Sequence, residues 1–197
     1  MVIPRGSDSS MTTESTRSTN SLEYLLEQLP SDSDERGKLF EKVTKWFLKT
    51  DPTFASELRE VWLWDEYPKR WGPDCGIDLV FRCKDGDICA VQAKCYDEKY
   101  SITKKDVDTF LSESNRKGID KRLLITSTDQ VGKNARQVCK AQEKPVTLYL
   151  YSDFNKAAIN YPSRLSELNN AKRKDPPTPR PHQKQAIKDV KKGFKTE

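Results

Sequence analysis

The sequence runs to 197 residues, 33% of them charged and 35% hydrophobic, with a formal net charge of +5, a length that suits one domain with tails. No apolar run reaches the ~18 positions needed to span a bilayer and no charged-then-apolar leader opens the chain, which predicts a cytoplasmic protein with no membrane partner. The five cysteines contain no C-x-x-C pair, the single histidine is His182 in a basic tail, and neither G-x-x-x-x-G-K-[ST] nor G-x-G-x-x-G occurs; disulfide frameworks, zinc knuckles, histidine relays and a complete nucleotide-binding engine drop out.

Met1 to Ser7 resembles a protease-site remnant of an expression vector, so residues 1–10 are set aside and Met11 reads as the native start. Residues 11–33 are expected to be a flexible leader rich in Ser, Thr and Asn, holding one short amphipathic helix from Ser21 to Leu29 that Pro30 stops. Order is expected to begin near Asp34. From there Leu39, Phe40, Val43, Trp46, Phe47 and Leu48 recur at helical spacing, with Asp34 as N-cap and Asp51-Pro52 as the stop. Phe54 to Trp64 reads equally as a second helix or as a helix leading into a strand.

Two β-type runs follow, Gly76 to Cys83 and Ile88 to Cys95, around the turn Lys84-Asp85-Gly86-Asp87. Thr103 and Asp106 form a capping box ahead of a helical face, Val107, Phe110, Leu111 and Ser114, that ends by Gly118. A strand from Arg122 to Ser127, a helix from Val131 to Gln142, a strand from Thr147 to Tyr151 and a short helix from Asp153 to Asn160 complete the order. The economical solution is an α/β fold, a central mixed β-sheet flanked by helices. Residues 161–181 read as a linker, with four prolines close together at Pro176, Pro177, Pro179 and Pro181. Residues 172–197 carry nine Lys and Arg against three Asp and Glu, so this tail holds +6 and residues 1–171 sum to about −1 of the total.

The stretch that bears chemistry is Gly72-Pro73-Asp74-Cys75-Gly76-Ile77-Asp78-Leu79-Val80 with Val91-Gln92-Ala93-Lys94 across the turn. Gln92 and Lys94 are two apart on a strand and share a face. A carboxylate on the facing strand, a polar ligand and a lysine can together hold a divalent metal and a water beside a phosphodiester. G-I-D on one strand followed by Q-x-K on the next resembles the PD-(D/E)xK nuclease superfamily in its Mrr-like branch, over roughly residues 37–151. The runs Trp62-Leu63-Trp64-Asp65, Trp71 to Val80 and Gln92 to Tyr96 are similar to the N-terminal nuclease of type ISP restriction-modification enzymes, and Arg180-Pro181-His182-Gln183 to Ile187 resembles the opening of a superfamily-two helicase.

That resemblance implies a restriction-endonuclease-like fold, with residues 34–160 as the nuclease domain and residues 182–197 as the start of a truncated helicase or translocase region. It implies Asp78, Gln92 and Lys94 as catalytic residues, with Asp78, Gln92, the Ala93 carbonyl and Glu41 on the metal. Mg²⁺ is the implied ion, with Mn²⁺ as a substitute, and ATP belongs only to the missing helicase part. Double-stranded DNA is the implied partner, together with downstream helicase and methyltransferase regions of the same polypeptide and a second nuclease copy for double-strand cleavage. Gln92 departs from the superfamily's usual Glu, and an amide carbonyl is a weaker ligand than a carboxylate.

Each assignment has a rival. Asp78 and Lys94 read also as a cross-strand ion pair, and Glu41 as the i,i+4 partner of Lys45. Asp74 reads as a loop residue capping Gly76, and the four tryptophans as packing residues. Lys104, Lys105, Arg116, Lys117, Lys121 and Lys133 form either a phosphate-binding face or a solvated surface. The leading function is a Mg²⁺-dependent DNA endonuclease domain of a restriction or phage-defence enzyme. The alternatives are a catalytically weak DNA-binding or docking module of a helicase, and a structure-specific repair nuclease.

The leading function makes a demand on register. A two-residue Asp85-Gly86 turn pairs Asp78 with Ala93 and turns Asp78 away from Gln92 and Lys94. A three-residue loop with Gly86 in the left-handed conformation pairs Cys83 with Asp87 and sets Asp78 opposite Gln92. Positive φ at Gly86 is therefore predicted, or failing that a bulge elsewhere in the hairpin.

Overall fold

The computed structural model describes residues 18–169 and residue 185. Ser21 caps a first helix, α1 (Leu22–Glu27), by accepting from the Tyr24 N–H. The helix buries Leu22 and Leu25, and Leu29 follows them into the main core. Ordered packing thus starts before Asp34, which corrects the expectation of a flexible leader up to residue 33. Three leucines spaced three and four apart suffice to dock a helix too short to persist alone.

The long helix α2 (Ser33–Thr50) is capped by Asp32, whose carboxylate accepts from the Asp34 and Glu35 N–H groups. The predicted cap, Asp34, lies inside the helix. The run Ser31-Asp32-Ser33-Asp34 offers four competent caps, and the one taken is the residue whose extended backbone (ψ 130°) turns into the first helical residue. Asp51 ends α2 and caps α3 (Pro52–Glu57), with Pro52 in the first turn where its missing N–H costs nothing. The open segment then resolves as helix followed by strand, β1 (Leu58–Leu63), closed by a 3₁₀ turn over Trp64–Glu66.

Strands β2 (Leu79–Cys83) and β3 (Ile88–Lys94) form the hairpin, followed by α4 (Lys104–Glu113), β4 (Lys121–Thr126), α5 (Lys133–Lys140), β5 (Val146–Tyr149) and α6 (Tyr151–Lys156). The five strands lie in the order β1-β2-β3-β4-β5. The first three are antiparallel and the last three parallel, with α4 and α5 making the crossovers. This is the mixed, helix-covered sheet expected from the sequence. Alternate strand residues face opposite cores. Phe81, Val91 and Ile125 pack with α1, α2 and Phe154 on one face, while Val80, Ala90 and Leu124 pack with α4 and α5 on the other.

The chain remains packed beyond residue 160. Tyr161 is buried, its hydroxyl donates to the Phe154 carbonyl, and Leu165 and Leu168 of a 3₁₀ turn (Leu165–Asn169) lean on the α2 core. The expected linker therefore does not begin at residue 161. Its remainder, and the helicase-like segment, lie outside the described residues apart from Gln185. All five cysteines are free. Among the described residues no helix is long and apolar enough to cross a membrane.

Candidate active site

The hairpin loop sets the site. The Gly86 N–H donates to the Cys83 carbonyl at 3.1 Å and the Cys83 N–H to the Asp87 carbonyl at 2.8 Å, with Gly86 at φ +103°. This is the three-residue loop that the register argument requires. The ladder accordingly pairs Leu79 with Val91 and Arg82 with Ile88, but it ends at Leu79: Asp78 also turns its N–H to the Val91 carbonyl and is not paired with Gln92 as the regular register would have it.

Asp78 stands one residue outside β2, where that strand parts from β3. Its backbone N–H still reaches the Val91 carbonyl at 2.9 Å, and its Oδ2 accepts from the Ala93 N–H at 2.7 Å. In a strand the N–H and C=O of one residue point the same way, so the Ala93 carbonyl also faces the gap beyond the last β2 pair. The Asp78 carboxylate and the Ala93 carbonyl thereby face the same gap in the hairpin.

Gln92 is 2% exposed. Its Nε2 donates to the Gly76 carbonyl at 3.2 Å, which fixes the amide's orientation because that carbonyl accepts only a donor. Oε1 is thereby left buried without a hydrogen-bond partner among the described residues. A buried acceptor of this kind costs roughly 1–3 kcal/mol unless something electropositive meets it. Gly76 holds its place through φ +70°, a conformation suited to glycine, with Thr109 close behind it.

Glu41 projects from α2 into a cavity of about 340 Å³ that Asp78, Asp74, Asp65 and Lys38 also line. Burial, followed by the charge of Asp78, pushes the Glu41 carboxyl up to about 7. Burial also pushes Asp78 up to about 6, against the opposing pull of the Ala93 N–H and Lys94. Glu41 does not pair with Lys45, which bonds Glu66 instead. Lys94 makes no ion pair within 4 Å among the described residues, so the simple Asp78–Lys94 bridge is absent, though its charge is felt at Asp78.

The structure thus brings Glu41 and Asp78 to one cavity and ties Asp78 to the Ala93 N–H, while Gln92 and Lys94 alternate onto the Ala90 face of β3, toward α4 and α5. Neither Gln92 nor Lys94 lines the Glu41 cavity. Among the described residues no group of three His, Cys, Asp or Glu side chains is placed to hold a metal; the donors here are two carboxylates, an amide oxygen and a backbone carbonyl, all hard oxygens of the kind Mg²⁺ accepts. Asp74 bonds the Gly76 N–H at 3.1 Å, the capping role expected of a loop residue. Trp46 and Trp64 are buried and Trp71 donates to Glu113, so these are packing residues. Of the six basic residues beyond β3, three are paired: Lys104 with Asp108, Arg116 with Glu113 and Lys121 with Asp87. The contribution of the Gly76 carbonyl was not foreseen from sequence, because a backbone acceptor leaves no trace in residue type.

The five-stranded mixed sheet flanked by helices is a fold of the restriction-endonuclease class. Residues 49–171 match the restriction endonuclease family model Mrr_cat_2, and the chain belongs to that family. Glu41 lies outside the matched segment. Among solved structures, the chain is similar to the ATP-dependent type ISP restriction-modification enzyme LlaBIII bound to DNA, at 28% identity and a TM-score of 0.68 over 88% of this chain. It spans only 11% of the length of that enzyme. The restriction endonuclease MspJI, in complex with a 27-mer oligonucleotide, is a weaker likeness, at 20% identity and a TM-score of 0.44 over 66% of this chain and 29% of its own. A search of curated proteins gives no match.

Proposed function

We propose that the chain is a divalent-metal-dependent DNA endonuclease domain serving a larger ATP-dependent restriction enzyme. The observation that carries this reading is the buried, unpartnered Gln92 Oε1, two residues from Lys94 on one strand face and next in sequence to Ala93, whose N–H holds Asp78. Asp78, Glu41, Gln92 Oε1 and the Ala93 carbonyl would hold Mg²⁺, or Mn²⁺ in its place. When bound, the ion supplies neutralisation of charge at the scissile phosphate and acidifies the attacking water. Lys94, an ammonium on a half-buried stem, orients that water and meets the charge that develops on the phosphate oxygens. Asp78 is held by the Ala93 N–H, so its second oxygen remains available. Gln92 brings no negative charge, and the site therefore binds cations weakly until DNA phosphate adds its own.

The larger enzyme is supported by the LlaBIII likeness and by the helicase-like run after Arg180. On this reading ATP serves only that further part, a target-recognition region outside this chain supplies sequence choice, methyltransferase and helicase regions accompany it, and two copies meet to cut both strands. Calorimetric titration of Mn²⁺ into the chain tests the site without requiring turnover. One ion should bind per chain, more tightly at pH 7.5 than at pH 5.5 because the two carboxyls near 6 and 7 must lose their protons. Asp78→Asn should abolish that binding. Equal binding by the variant, or affinity indifferent to pH, would exclude the site.

One observation favours a second reading. With an amide where the superfamily has a carboxylate, the domain would dock DNA for its motor without cutting it. DNA binding with no cleavage in either metal would select this reading.

A further inference from the structure

The longest helix carries lysines the nuclease chemistry does not use. On α2, Lys38, Lys42, Lys45 and Lys49 are spaced four, three and four residues apart. At about 100° per residue they fall within an arc of roughly 60° and span about 16 Å of axis. Lys38, Lys42 and Lys49 are exposed and Lys45 is half-buried. The stripe does not follow from bulk composition, since residues 1–171 sum to about −1.

Lys42, Lys45 and Lys49 line a groove of about 640 Å³ between α2 and the 3₁₀ turn that holds Leu165. Lys42 and Leu63 also line the Glu41–Asp78 cavity, so groove and cavity adjoin. Glu66 lies in the groove too, and Lys45 neutralises it. Trp46 lines it at 5% exposure, and its buried Nε1–H has no acceptor among the described residues. Lys42 and Lys49, which make no ion pair within 4 Å among the described residues, ask for an anion that offers several oxygens in a row. The chain's own basic tail, at +6 over residues 172–197, has the wrong sign to fill it.

We propose that this groove is a phosphate track for the DNA strand leaving the active cavity, with Lys42 and Lys49, about 10 Å apart along the helix, on backbone phosphates about three apart. The proposal rests on the nuclease reading for its direction, from cavity to groove. At 3.4 Å of duplex axis per phosphate on one strand, 16 Å covers about four or five phosphates, enough to fix the register of the scissile bond without reading bases.

The test is fluorescence anisotropy of a duplex of about 20 base pairs, with the full 197-residue chain in chelator, over a series of salt concentrations. Lys42→Gln/Lys49→Gln should reduce the slope of log K against log salt by about 1.8, or 0.9 per phosphate lost. Binding should weaken roughly 50-fold at 0.1 M salt, equally for unrelated sequences, with the gap closing toward 1 M. Lys104→Gln/Lys133→Gln, on the opposite helical layer, should leave the slope unchanged, and circular dichroism should show both variants folded. An unchanged slope in the Lys42/Lys49 variant, or no DNA binding by the parent chain, overturns the track. The expected slope change in a chain that never cleaves would retain the track and remove the nuclease reading, so the two fail separately.

Discussion

Two carboxyls raised toward neutrality by burial, Asp78 to about 6 and Glu41 to about 7, make the metal-free protein pH-sensitive at the site. Folding favours their protonated forms. Their contribution to stability is therefore fully present below the ordinary carboxylate range near pH 4, and is lost as pH rises through 6 and then 7. At Asp78 the effect is on the order of 3 kcal/mol. Carboxylates shifted the other way, such as Glu66 and Asp106, mask part of it, so the variant difference is the quantity to read. In chelator, the melting temperature of the parent should fall more between pH 5 and pH 8 than that of Asp78→Asn, which still offers an acceptor to the Ala93 N–H. Parallel curves would show that Asp78 is not held against its charge. Asp78, Gln92 and Lys94 were legible as residues because Gly-Ile-Asp and Gln-x-Lys are short, local patterns. The lysine stripe of α2 was not, because Lys45 was weighed only as a partner for Glu41, whereas the arc of four lysines matters only once the groove wall from residues 165–169 stands opposite it.

At the scale of elements, the hairpin register is legible over Leu79–Arg82 because turn chemistry is local and one glycine at φ +103° sets it, whereas the departure at Asp78, whose N–H turns to the Val91 carbonyl, leaves no mark in the sequence. Gly86 has open space around it, so Gly86→Ala should cost only the left-handed penalty, about 1–2 kcal/mol, with cleavage per folded molecule retained. Gly76→Ala should cost more and also impair the site. A Cβ there meets Thr109 Cγ2 at 3.0 Å, and the carbonyl that orients Gln92 must shift. Urea denaturation of the two variants beside the parent ranks them, and a milder Gly76 variant would contradict the packing described. The helix α1 is legible in its spacing, but its docking is not: residues 12–20 cannot build a core, yet the three leucines that follow only need a core to join, and docking of that kind is a tertiary fact. Leu25, fully buried, should cost about 2–5 kcal/mol when cut to Ala. A loss below 0.5 kcal/mol in the same denaturation experiment would mean that α1 is not part of the fold.

Over the whole molecule, the sheet divides the labour. Helices α4 and α5 cover one face, while α2 crosses the other and delivers both Glu41 and the lysine groove to the end of the sheet where β2 and β3 part. The fold class was legible from the order of elements, since one hairpin followed by alternating helices and strands leaves few sheet topologies. The meeting of α2 with the hairpin fork was not, because no spacing in sequence reports the distance between Glu41 and Asp78. The central claim is that this fork cleaves DNA with a bound divalent ion and Lys94. Its most direct test is nicking of supercoiled plasmid by the 197-residue chain in Mg²⁺, in Mn²⁺ and in chelator, beside Lys94→Ala. The account predicts nicked product in either metal, none in chelator and none from Lys94→Ala, which should still bind DNA and melt within a few degrees of the parent. Cleavage that survives chelation or the loss of Lys94, or a parent chain that binds DNA and cuts it in neither metal, would contradict it.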